Sequence, residues 1–119
     1  MAEKTKLGIY KILNIKTNSF YIGSSKDLER RKYNHFSKLK ENKHKNKKLQ
    51  ADFNKFKAEY FKFIILEEMP NNTKSYDLAY KELYYIYKYK PAYNKKLPVL
   101  PEKNYTQNDI NKVYLNINI

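Results

Sequence analysis

An alternating apolar run over residues 7–15, a polar turn at 16–19 and a second extended run from Phe20 constrain this chain more than any other feature. Leu7, Ile9, Leu13 and Ile15 fall on one face of the first run, and Gly8, Tyr10, Ile12 and Asn14 on the other. A period of two over that length marks a strand, and "KTNS" at 16–19 supplies turn chemistry. The pattern predicts a β-hairpin with Phe20 and Ile22 on its core face. The same hairpin holds both glycines of the chain, Gly8 and Gly23, on the face that carries Tyr10 and Tyr21. Glycine weakens a strand, so its presence there signals something approaching bare backbone closely. We expect the two glycines to open the tyrosine face to a bulky ligand.

Beyond the hairpin the period changes. From about Ser25 to Asn42 it is helical, with Ser25 and Asp27 as polar starters and Leu28, Phe36 and Leu39 as the apolar face. "ENKHKNKK" at 41–48 breaks that pattern, and a second short helix follows with Leu49, Phe53 and Phe56 at helical spacing. "YFKFIILEE" at 60–68 is a continuous β-prone run, which reads as a central strand buried on both faces. A third helix from about 74 to 89 turns Leu78, Ala79, Leu83 and Ile86 inward and ends before Pro91. The order β-β-α-α-β-α predicts an α+β fold, a small three-stranded antiparallel sheet flanked by helices. One domain spans residues 1–95. The extension 96–119 is polar, punctuated by Pro98 and Pro101, and closes on "KVYLNINI". There Val113, Leu115, Ile117 and Ile119 alternate, as an added strand over 113–119 or a dimer contact would.

Charge narrows the class of partner. Lys and Arg total 25 against 12 acidic residues, a net charge of +13. That surplus implies a polyanion, either nucleic acid or an anionic membrane surface. The longest purely apolar run is "FIIL" at 63–66, too short to span a bilayer, and no signal-peptide pattern opens the chain, so a cytoplasmic location is expected. With no cysteine, disulfides, thiolate zinc sites and cysteine nucleophiles are excluded. Lysine is the default basic residue here, so the adjacent pair Arg30 and Arg31, the only arginines, are candidates for work that lysine cannot do.

Taken singly, each candidate has a plain structural reading. Two tyrosines on a hairpin form a cross-strand packing pair, His35 is a surface or helix-packing residue, and the basic run at 43–48 is a solvated loop. Glu82 is less easily placed. It falls between Leu78 and Ile86 on the helical wheel, at the margin of the stripe that faces the sheet, where a carboxylate must be paired, desolvated or bound to a metal. A helix-surface glutamate beside a lysine is the alternative. Arg31, with His35 at i+4, borders the stripe defined by Leu28 and Leu39, whereas Arg30 points away.

Together these residues resemble a known family. "GIY" at 8–10 and "YIG" at 21–23, followed by "SSKDLERRKYNHF" at 24–36, His44, "KLQADFNKF" at 48–56, "IILEE" at 64–68, "KELYYI" at 81–86 and "YN" at 93–94, resemble the GIY-YIG nucleases. Within that family they are most similar to the catalytic domains of phage group I intron homing endonucleases. The resemblance covers roughly residues 7–95 and implies roles position by position. Tyr10 and Tyr21 would line the cleft and position or deprotonate the attacking water. Arg31 would hold the scissile phosphate, His35 would assist proton transfer or orient Tyr10, and Asn94 would brace the site. Glu82 would be the one protein ligand of a divalent metal, Mg²⁺ or Mn²⁺, one per active site. His44 matches a family position of catalytic or DNA-contacting character. The overall charge, rather than the resemblance, makes Lys26, Lys43, Lys45, Lys47 and Lys48 the expected DNA contacts.

The expected function is a metal-dependent DNA endonuclease that acts on double-stranded DNA and leaves 5′-phosphate and 3′-hydroxyl ends. It would work as a monomer or weak homodimer, in the cytoplasm of a phage-infected host or at its nucleoid. A non-catalytic basic DNA-binding module keeping the same fold is the rival class, and Mg²⁺-dependent nicking separates the two. Family members that home carry a linker and a further DNA-binding domain. A chain ending at Ile119 reads as a free-standing nuclease or a catalytic domain alone, with weak sequence specificity because one small basic domain mostly contacts phosphates.

Overall fold

Strands β1 (Leu7–Asn14) and β2 (Ser19–Ser25) pair antiparallel as the expected hairpin, with Tyr10 opposite Gly23 and Leu13 opposite Phe20. The turn is closed by local chemistry. Asn14 Oδ1 accepts from the Lys16 N–H at 3.0 Å, and Asn18 takes the left-handed conformation, φ 63°, that asparagine tolerates well. Helix α1 (Leu28–Lys40) starts where Asp27 caps it, its carboxylate accepting from the Arg30 N–H, and α2 (Lys47–Phe56) starts on Asn46 in the same way. After a short 3₁₀ turn, Ala58–Tyr60, come strand β3 (Phe61–Met69) and helix α3 (Ser75–Tyr89). The structure, a computed structural model, describes residues 5–95; the expected strand at 113–119 lies outside the described residues. None of the described helices is long and apolar enough to cross a membrane.

The sheet order is β2-β1-β3, all antiparallel, which corrects the expectation for β3. The apolar run "FIIL" belongs to an edge strand, with Ile64 37% and Ile65 40% exposed, and β1 is the central strand. The physical reason is that β1 is covered on both faces despite its alternation. One face carries Leu7 and Ile9, which pack with Ile22, Leu78 and Ile86 under α3. The other carries Tyr10 and Ile12, which pack with Leu28, Leu39, Leu49 and Phe53 from α1 and α2. Ile9, Tyr10, Ile12 and Ile22 are completely buried, each such apolar side chain contributing about 1.5–3 kcal/mol. Ile15, expected on the core face, is half exposed because β1 ends one residue earlier.

At Tyr10 the tyrosine face is therefore closed, and the two glycines have a different purpose from the one expected. A Cβ on Gly8 would strike the carbonyl oxygen of Glu67, where β3 crosses close to β1 beside an irregularity at Ile9/Tyr10. A Cβ on Gly23 would strike the phenol of Tyr10, standing 2.6 Å from its Cζ. Both glycines make room within the protein. One admits a neighbouring strand and the other admits a tyrosine ring.

Candidate active site

Between β2, the start of α1 and the middle of α3 lies an open cleft of about 740 Å³. Its walls include Tyr21, Arg31, His35, His44, Glu82 and Asn94, brought together from five segments of the chain. Lys45 and Lys47 of the expected DNA-contacting set stand on it too, along with Lys38 and Lys95, whereas Lys26, Lys43 and Lys48 are exposed elsewhere. Arg30 is exposed and absent from the cleft. Tyr10 corrects the expectation that both tyrosines line the wall: it lies behind it, completely buried.

Tyr10 is enclosed by rings. Phe63 stacks on it with centroids 4.6 Å apart, and Tyr21 and His35 flank it. Its hydroxyl is 2.6 Å from His35 Nε2, and His35 Nδ1 is 2.7 Å from His44 Nε2. Burial pushes the Tyr10 phenol far above its ordinary range, nearby Tyr21 adds to this, and Arg31 works the other way. His35 is driven down to about 3 by burial, then by His44 and Arg31, so its ring is neutral at ordinary pH. His44, expected in a solvated loop, is buried. Its backbone N–H donates to Gln50 Oε1 at 3.0 Å, and Gln50 in turn donates to the Leu39 carbonyl. Burial and the Lys38 charge lower its basicity as well.

Glu82 sits across the cleft, one helical turn from both Leu78 and Ile86, half-buried as its wheel position predicts. Ser24 donates to its Oε1 at 2.5 Å. Burial raises the carboxyl pKa, while the Ser24 hydrogen bonds and the Arg31 charge pull it back. Tyr21 is raised by burial and by Glu82, and lowered by Arg31 and by a hydrogen bond with Tyr10. Asn94 is joined to β2. Its side-chain amide accepts from the Ile22 N–H and donates to the Ile22 carbonyl, both at 2.9 Å, closing the outer edge of β2.

Among the described residues no group of three or more carboxylates and imidazoles forms a ready-made metal cage. The one carboxylate of the cleft fits a different kind of ion. Mg²⁺ dehydrates reluctantly and is commonly held by one or two carboxylates, its remaining positions filled by water and substrate phosphate. Glu82, in an open cleft with no Lys or Arg within salt-bridge distance among the described residues, suits that mode.

Several residues that matter here escaped the sequence reading. Ser24 carries no signal of its own. Asn46, which caps α2 and donates its side-chain amide to the Tyr93 carbonyl, could have been found as an asparagine just before an apolar helical run. Asn14 and Tyr93 are buried partners, the Asn14 amide donating to the Tyr93 oxygen and the Tyr93 hydroxyl to Asp52.

Comparison with known proteins places the same residues in a wider setting. A family model described as the GIY-YIG catalytic domain matches residues 6–96. Over 65 residues, 55% of this chain, the sequence is 46% identical to intron-associated endonuclease 1 of Enterobacteria phage T4. That region is 26% of the relative, so the match spans about a quarter of its length. Among solved structures, the catalytic domain of homing endonuclease I-TevI is similar with a TM-score of 0.68 at 35% identity, covering 76% of this chain and 99% of that one. A glutamate-to-alanine mutant of the I-TevI catalytic domain gives 0.71 at 33% identity, covering 82% of this chain and 100% of that one.

Proposed function

The chain belongs to the GIY-YIG family, its residues 6–96 matching the catalytic domain, and from that premise we propose that it is a divalent-metal-dependent endonuclease of double-stranded DNA. The observation that carries this reading is the meeting of Tyr21, Arg31 and Glu82 on one cleft rimmed by Lys38, Lys45 and Lys47. Water attacks the phosphorus, the bond to the 3′ oxygen breaks, and the ends are a 5′-phosphate and a 3′-hydroxyl. Arg31 grips the phosphate through two parallel hydrogen bonds and spreads the charge that develops on it. Tyr21 meets the attacking water at the cleft wall. Glu82, its carboxylate held by Ser24, provides the protein ligand for Mg²⁺ or Mn²⁺. Held there, such an ion would supply Lewis-acid stabilisation of the negative charge on the leaving oxygen. Asn94 holds β2 and with it Tyr21, and the lysines follow the backbone of the duplex. Such a domain contacts phosphates more than bases, so its sequence preference is weak. A monomer or weak homodimer in the cytoplasm of an infected host belongs to the same proposal.

Plasmid nicking tests it. Nicking that requires Mg²⁺ and stops with EDTA is expected, as is loss of nicking in Glu82→Ala with folding and DNA binding retained. DNA binding without any nicking by the wild type would favour a non-catalytic binding module instead.

A further inference from the structure

One backbone amide, two histidines and Tyr10 form a continuous hydrogen-bonded string from the 41–46 loop to a ring that neighbours Tyr21 of the cleft wall. The direction of its hydrogen bonds follows from one end. The Asn46 N–H donates to His44 Nδ1 at 3.0 Å. A backbone N–H can only donate, so Nδ1 of His44 carries no proton. Neutral His44 therefore holds its proton on Nε2, which lies 2.7 Å from His35 Nδ1. That nitrogen must accept, which leaves the proton of neutral His35 on Nε2. Nε2 in turn lies 2.6 Å from the Tyr10 oxygen, so Tyr10 accepts there and must send its own hydroxyl proton elsewhere. Tyr21 is the phenol next to it, ring centroids 6.3 Å apart.

We propose that the Asn46 backbone N–H sets a one-way hydrogen-bond chain, His44 to His35 to Tyr10 to Tyr21, that makes Tyr10 a fixed donor and leaves Tyr21 as the phenol that meets the attacking water. The link to water rests on the endonuclease reading; the direction of the chain does not. His44, His35 and Tyr10 are positioning residues in this scheme, and Tyr21, on the cleft wall, is the catalytic one. The device is built into the fold. Gln50 holds the His44 backbone, and Asn46 is tied to α2 through Leu49 and to the last segment through Tyr93. Both imidazoles are depressed by burial, as a string of neutral rings requires.

Imidazole ¹⁵N spectra of the full chain read the direction without any cleavage assay. Both histidines should show the neutral Nε2–H form at pH 7. A neutral Nδ1–H form at His35 in the wild type would overturn the proposal. Two variants then connect direction to rate. His44→Gln offers an amide N–H to His35 and should keep its tautomer. His44→Glu, facing the Lys38 charge, offers only an acceptor, so His35 must take its proton on Nδ1 and draw the Tyr10 hydroxyl away from Tyr21. In single turnover, with enzyme saturating and in excess over plasmid, His44→Gln should nick faster than His44→Glu by roughly tenfold or more, as loss of a positioned proton donor or acceptor costs. Equal rates despite opposite tautomers would overturn the proposal. A wild type with the expected tautomers and no nicking would remove the endonuclease reading and leave the chain's direction standing.

Discussion

Arg30 and Arg31 have the same chemistry and differ only in where α1 points them. Arg31 stands on the cleft and its charge acts on Tyr10, Tyr21 and Glu82, whereas Arg30 is exposed and away from it. Arg31→Lys keeps the charge and loses the two-pronged grip, so nicking should fall by about 10²-fold or more. Arg30→Lys should stay within about threefold, and both should bind DNA alike because the charge is unchanged. A dead Arg30 variant beside a live Arg31 variant would contradict this assignment. At this scale Arg31 and Glu82 were legible from the helical wheel, since each borders an apolar stripe. His44 was not. Its lysine neighbours suggest a solvated loop, and it is contacts with His35, Gln50 and Asn46 that take it inside.

The hairpin is the element on which most depends, and its glycines can be separated by what each one faces. Gly8→Ala would push a methyl into the backbone of β3, which cannot swing aside without disturbing its pairing with β1. Overpacking of that kind costs typically 1–3 kcal/mol, so the expected result is a lowered Tm. Gly23→Ala would push instead against the Tyr10 ring, itself held by Phe63 and His35. Here nicking should fall by more than the loss of Tm accounts for, because the Tyr10 hydroxyl is moved off His35. A Gly23→Ala chain with wild-type rates would show that Tyr10's placement is unimportant. The hairpin itself was legible because alternation and turn chemistry are local. The sheet order was not, since the apolar content of 63–66 does not tell an edge strand from a central one. What decides is the close approach of β3 to Gly8, a contact between residues far apart in the chain.

The whole molecule responds to solution conditions through its charge and its buried histidines. A net charge of +13 implies that affinity for duplex DNA drops steeply between low and physiological salt, measurable as a linear slope of log K against log salt. A flat response would contradict nucleic-acid binding. Acid acts on the fold. His35 has its basicity lowered from 6.5 to about 3, so between those values the unfolded chain binds a proton that the folded chain refuses. Its contribution is therefore fully present above about pH 6.5 and is lost progressively as pH falls towards 3. His35→Gln should flatten that part of a stability-against-pH curve measured by denaturant unfolding. An unchanged curve would mean that the ring is not held neutral.

The grip of Asn94 on Ile22 joins residues 72 positions apart. Such a contact forms only after the residues between them have been made, later than the local pairing of the hairpin. A nascent chain that has released Tyr21, Arg31 and Glu82 already carries the groups that would act on a phosphate, yet its outer strand lacks the clasp that holds Tyr21 in line. The outer strand is thus clasped only once the segment beyond α3 has returned to the hairpin.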